Sequence, residues 1–89
     1  MVKKKRIIVK SDAVERLKRE KVYKIDGNTL IQIVKEPDKV AKGKGERLIA
    51  QKILGEEYIL RVIYEEYQDE IQIITFYRAK KKRYFRGGK

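Results

Sequence analysis

Apolar positions fall into two regimes along this chain, one of mixed spacing up to about residue 45 and one of short strand-like runs after it. Arg6-Ile7-Ile8-Val9-Lys10 is β-branched and short, which predicts a first strand or extended arm. Ala13, Val14, Leu17 and Lys21 then fall at helical intervals, and Asp12 with Glu15 three residues on matches a capping box, so a helix is predicted over about residues 12–21. Asp26-Gly27-Asn28 is a turn and N-cap signal. It is followed by Leu30, Ile31, Ile33 and Val34, with Pro37 as a stop. Propensity alone would allow a strand over Thr29 to Val34, but the spacing of Leu30, Ile31 and Val34 favours a second helix. Lys42-Gly43-Lys44-Gly45 reads as a flexible loop.

Arg47 to Leu54, Tyr58 to Glu66 and Ile71 to Arg78 are apolar-rich runs of strand length, separated by Gly55-Glu56-Glu57 and Tyr67-Gln68-Asp69-Glu70. Connections this short join antiparallel neighbours. The predicted order is therefore β-α-α-β-β-β, an α+β domain with two short helices packed on an antiparallel sheet. A two-residue turn at Gln68 and Asp69 would set Tyr64, Val62 and Leu60 opposite Ile73, Thr75 and Tyr77 on one face. Ile59, Arg61 and Ile63 would then share the other face with Arg78, Phe76 and Ile74, making Arg61 and Arg78 same-face neighbours.

Composition narrows the chemistry. At 89 residues the chain fits one domain over 1–89 with one thin core, and its 42% hydrophobic content, in patterned runs, argues for folding despite an equal share of charged residues. With no cysteine and no histidine it lacks the parts for the common zinc sites, a disulfide framework, a cysteine nucleophile or a Ser-His-Asp triad. No cofactor is expected. Met1 to Arg6 has the charge of a signal-peptide start, but Ile7-Ile8-Val9 is too short for its apolar region, and no run approaches a membrane span. The expectation is a cytoplasmic protein without a membrane partner.

The net charge of +11 is unevenly placed. Residues 1–10 hold five cations (Lys3, Lys4, Lys5, Arg6, Lys10) and no acid, and residues 78–89 hold seven and no acid, while the stretch between is balanced to within one charge. A basic segment at 1–6 and a basic tail at 79–89 therefore point to a polyanion, RNA or DNA. In the tail, Lys80, Lys82 and Arg86 can neutralise phosphates while Tyr84 or Phe85 stacks on a splayed base. The alternative is a solvated tail that keeps the protein soluble. Arg61, inside the apolar strand Tyr58 to Tyr64, must find an anion or leave its face open to water; the anion is either a ligand or a neighbouring carboxylate, such as Glu65 or one on a helix. For Arg16 a structural ion pair is the expectation. The acidic pairs Glu56-Glu57, Glu65-Glu66 and Asp69-Glu70 lie at or beside turns, where solvation explains them better than a magnesium site. Gly43 and Gly45 lack the Lys-Ser/Thr and the helix that would make a phosphate loop.

Several blocks, in order, resemble one family. Val9-Lys10-Ser11-Asp12-Ala13-Val14-Glu15-Arg16 is similar to the opening His-Ala-x-x-Arg signature of small toxin-like domains grouped with BrnT and RelE, with Asp12 in place of the histidine. Pro37 to Val40, Arg47 to Ala50, Leu60 to Glu65, and Ile73 to Tyr77 through Lys82-Arg83-Tyr84 resemble the remaining blocks. The resemblance implies a RelE-like fold and a toxin of a toxin–antitoxin pair, a metal-independent endoribonuclease acting on mRNA, free or on the ribosome. It also implies a cognate antitoxin covering the basic surface.

Cleavage through the 2′-OH needs a base, cations to stabilise the phosphorane and an acid for the leaving oxygen. Arg61 and Arg78 are the candidate phosphate-stabilising groups, since a guanidinium can bind two phosphate oxygens. Arg83 and Tyr84 would assist or stack, and Lys81 is a candidate proton carrier. Asp12 at the histidine position leaves open whether the chain cleaves, and a non-catalytic nucleic-acid-binding module on the same fold is the alternative. Lys3, Lys4, Lys5, Arg6, Lys80, Lys82, Phe85 and Arg86 are the candidate nucleic-acid contacts under either reading.

Overall fold

The computed structural model describes residues 5–19 and 25–84. Strand β1 (Arg6–Val9) leads into helix α1 (Ser11–Arg19); helix α2 (Gly27–Lys35) is followed by β2 (Lys39–Lys42), β3 (Arg47–Ile53), β4 (Tyr58–Glu66) and β5 (Glu70–Lys80). One helical turn, α3 (Lys81–Tyr84), continues directly from β5. The strands form a single sheet in the order β1-β5-β4-β3-β2, antiparallel except that β1 runs parallel to β5. The fold is α+β with a mostly antiparallel sheet, as the strand-length runs predict.

Local chemistry explains the helices. The Asp26 carboxylate accepts from the Thr29 backbone N–H and from the Thr29 hydroxyl, each at 2.9 Å, and so caps α2. The Thr29 N–H holds the Asp26 carboxyl below its ordinary range. At the other end the Glu36 N–H reaches the Gln32 carbonyl at 2.8 Å, and Pro37 cannot extend the helix. Helix α1 starts one residue earlier than predicted, with the Val14 N–H bonded to the Lys10 carbonyl at 3.0 Å. Asp12 therefore lies within the first turn rather than at the cap, where its charge complements the helix dipole. The predicted end of this helix, residues 20–21, lies outside the described residues.

Both helices pack on one face of the sheet. Ala13, Leu30, Ile33 and Val34 meet Ala50, Leu60, Val62, Tyr64, Ile73 and Phe76 in the core. Burying a side chain such as Leu60 or Phe76 contributes roughly 1.5–3 kcal/mol, and these residues supply most of what holds the domain together. Burial also pushes the Tyr64 phenol up from its ordinary pKa.

The sheet departs from expectation in two places. Strand β2 was not predicted: Lys39-Val40-Ala41-Lys42 carries little apolar signal and becomes a strand by pairing with Leu48 to Gln51. The Lys42 to Gly45 stretch is accordingly a tight hairpin connection, with the Gly43 N–H on the Arg47 carbonyl at 2.9 Å and the Arg47 N–H on the Lys44 carbonyl at 3.1 Å. Gly45 takes φ +62°, a left-handed conformation suited to glycine.

The second departure is in register. Tyr64 pairs with Ile73 as predicted, but Ile63 pairs with Thr75, leaving Ile74 as an extra residue in a β-bulge. The bulge lets Ile73 and Phe76, three residues apart, both reach the core, where they are 0% and 1% exposed. Beyond it every β5 residue is displaced by one from the predicted pairing: Phe76 lies opposite Val62, Tyr77 opposite Arg61 and Arg78 opposite Leu60. The same-face placement of Arg61 and Arg78 is therefore corrected. Arg78 shares the helix-bearing face with Leu60, and Arg61 lies on the other.

Candidate nucleic-acid interface

Among the described residues, the cations of the two basic segments lie at opposite ends of the sheet. Lys5 and Arg6 sit where β4 ends and β5 begins: the Lys5 Nζ lies 2.7 Å from a Glu66 carboxylate oxygen, and the Arg6 guanidinium 3.5 Å from Glu70. Arg78, Lys80, Lys81, Lys82 and Arg83 lie at the opposite end of the same strands. Tyr58 and Glu66 bound β4, so eight rises of about 3.4 Å set the two clusters roughly 27 Å apart. Lys3, Lys4, Phe85 and Arg86 lie outside the described residues, and of Tyr84 only its place at the end of α3 is described.

At the Arg78 end, β5 passes without a loop into α3, so Arg78, Lys80, Lys81, Lys82 and Arg83 follow one another around a strand-to-helix corner. The Lys81 N–H donates to the Glu57 carbonyl at 2.8 Å and the Leu54 N–H to the Tyr58 carbonyl at 2.9 Å. The first bond fastens the corner to the β3–β4 connection, and the second closes that connection. Lys80 lies opposite Tyr58 in the register, and the Arg78 guanidinium stands over the Tyr58 ring, 4.4 Å from its centroid. Lys80, Lys82 and Arg83 are exposed and Lys81 is half-buried. An open cleft of about 460 Å³ runs between Lys80, Lys81 and Lys82 on one side and Glu56 and Glu57 on the other. Cations gathered on one ledge act together on a polyanion, because neighbouring phosphates can engage them at once.

Arg61 has a different environment. It is 8% exposed, on the face away from the helices, where its Nε donates to the Gln51 side-chain oxygen at 3.1 Å and its Nη1 to the Tyr77 hydroxyl. Its guanidinium carbon is 5.5 Å from the Tyr77 ring centroid. Gln51 is itself 1% exposed, so the arginine and the amide satisfy each other in a buried position. Glu65, one carboxylate considered for Arg61, accepts from the Arg47 Nε at 3.3 Å and the Tyr67 hydroxyl at 2.6 Å. These two donors, Tyr67 first, hold the Glu65 carboxyl below its ordinary range. Arg16 is exposed on α1.

The structure thus brings Arg78, Lys80, Lys81, Lys82 and Arg83 together and places Arg61 apart from them. It adds residues that the sequence did not single out: Tyr58 beneath Arg78, and Gln51 and Tyr77 around Arg61. The signal for Tyr58 lay in its position at the start of a strand after a short connection, but its partner depends on the bulge. The acidic pairs are engaged much as turn residues are, Glu65 with Arg47, Glu66 with Lys5 and Glu70 with Arg6. Among the described residues no group of three or more carboxylates is placed to hold a metal ion, and no helix is long and apolar enough to cross a membrane. No protein-family model matches this chain, and no curated protein and no solved structure is matched by it.

Proposed function

We propose that this chain is an RNA-binding protein of the RelE/BrnT-like toxin kind, which grips the phosphate backbone at the strand-to-helix corner of β5 and α3. The observation that carries the reading is the run of Arg78, Lys80, Lys81, Lys82 and Arg83 on one ledge fastened to the Glu57 carbonyl. The family resemblance implies two helices and then an antiparallel sheet, and an α+β fold with a mostly antiparallel sheet is in keeping with it. The place of Arg78 to Arg83 supports the reading: these residues directly continue a paired strand. A cognate antitoxin would cover this ledge.

Metal-independent cleavage of mRNA is the activity the resemblance carries. In this fold it would rest on Arg78 and Arg83 as phosphate-stabilising groups and Lys81 as proton carrier. Arg61 would hold Tyr77 and Gln51 from the opposite face. A non-catalytic binding module is the second reading, and the separation of Arg61 from Arg78 favours it. Fluorescence anisotropy with labelled single-stranded RNA across a salt series tests binding, and incubation of the same RNA in EDTA tests cleavage. Affinity should fall steeply between about 50 and 200 mM salt, as phosphate contacts require. Salt-independent or absent binding would refute the reading. RNA left intact in EDTA would leave the binding module.

A further inference from the structure

Beside the lysine cleft lies a second one of about 330 Å³, lined by Leu54, Gly55, Glu56, Glu57, Tyr58 and Arg78. Its composition is unlike the rest of the ledge. One wall is the Arg78 guanidinium over the Tyr58 ring, a cation and an aromatic already held together. Leu54, 42% exposed, adds apolar surface. Glu56 and Glu57 are exposed and border both this cleft and the lysine cleft. Their backbone positions are set by the Leu54–Tyr58 and Glu57–Lys81 bonds on either side. Where Gly55 lacks a side chain nothing stands within 4 Å, so the mouth is open on that flank.

Two carboxylates beside three lysines oppose the binding of a bare polyanion, since like charges at close range repel. They favour a ligand that brings a hydrogen-bond donor to them while its phosphates lie along the lysines. A nucleobase with an exocyclic amino group is such a ligand: carboxylates accept from the cytosine N4 amino group, and aromatic rings and guanidinium planes stack on base faces. In a duplex those amino groups are occupied by pairing. Uracil has no amino group to offer.

We propose that this second cleft is a nucleobase pocket for single-stranded RNA, in which Tyr58 and Arg78 supply the stacking surface and Glu56 and Glu57 select an amino-bearing base. The pocket rests on the RNA-binding reading and gives it a base preference that the lysines alone cannot supply. Wild-type protein and the Glu56→Gln/Glu57→Gln double variant are titrated into labelled ten-nucleotide oligocytidine, oligouridine and an RNA duplex of the same length, in a salt series at pH 7.5. Wild type should prefer oligocytidine to oligouridine by about fivefold or more, the low end of base-edge discrimination. It should bind the duplex more weakly than oligocytidine. The double variant should lose the preference and bind oligouridine more tightly than wild type does. Tyr58→Ala should weaken oligocytidine binding while Tyr58→Phe retains it, with circular dichroism confirming the fold of each. Equal affinity for both single strands with steep salt dependence kept, or a preference unchanged in the double variant, overturns the pocket and leaves the RNA-binding reading standing. No salt-dependent binding of any probe overturns both.

Discussion

Arg61 and Tyr77 stand directly opposite each other across β4 and β5, and the arginine donates from Nη1 to the tyrosine hydroxyl. With Gln51 on its Nε, Arg61 is the centre of a buried polar cluster on the face that the helices leave. Arg61→Ala should therefore act on stability: leaving buried partners unsatisfied costs about 2 kcal/mol, a Tm drop of roughly 8–16 °C in a domain this small. Arg78→Ala should change Tm little and reduce RNA affinity. Thermal melts followed by circular dichroism, paired with RNA titrations, separate the two. An Arg61→Ala protein with unchanged Tm would contradict the clustered role.

Replacing both Lys80 and Lys82 by alanine should weaken RNA binding across sequences and flatten its salt dependence. Each phosphate that is no longer neutralised reduces the slope of log affinity against log salt by about 1. Replacing Lys5 and Arg6, which are paired with Glu66 and Glu70 at the far end of the strands, should leave that slope unchanged. The same anisotropy titration reads both.

Gly45 and Gly55 offer a matched pair. Gly45 sits at φ +62° in the β2–β3 hairpin, where a Cβ is strained, so Gly45→Ala should cost about 1 kcal/mol and Gly45→Asn less. Gly55 has nothing within 4 Å of where a Cβ would stand and no such backbone conformation, so Gly55→Ala should be nearly neutral to stability. Chemical denaturation midpoints of the three variants decide the comparison.

Acid stability should carry the mark of two carboxylates. Asp26 and Glu65 are held below their ordinary range, by Thr29 and by Tyr67 with Arg47 respectively. A group depressed in the folded state gives stability that is present above its unfolded pKa and is lost as pH falls through the folded one. Tm should be level above about pH 5 and decline below it. The Asp26→Asn/Glu65→Gln variant should decline less over the same window. Parallel melting curves for the two proteins between about pH 5 and pH 2 would argue against this.

Much of the fold is written locally. Asp26, Thr29 and Pro37 bracket α2 by hydrogen bonding and ring geometry, which neighbours in sequence determine. The three long strands announce themselves through apolar runs and short connections. Strand β2 does not, because Lys39 to Lys42 is a strand only through its partner β3. The site was legible as a basic run and illegible as a surface. Which face Arg78 occupies depends on a bulge at Ile74, and Ile73 and Ile74 look alike to any pattern of hydrophobicity. Tyr58 joins the site only once that register is known.

The bulge at Ile74 works as a half-period phase shift. Upstream of it β5 keeps the parity of a plain hairpin; downstream that parity is inverted, so one residue of chain decides which surface receives all that follows. Drawing Ile74 into the ladder, so that the bulge is lost, would swing Arg78 and Lys80 round to the face of Arg61 and turn Phe76 out of the core, whereas deleting Ile74 would leave all three where they are. In a sheet this small, a one-residue slip of register can therefore carry a whole row of charge from one side of the protein to the other.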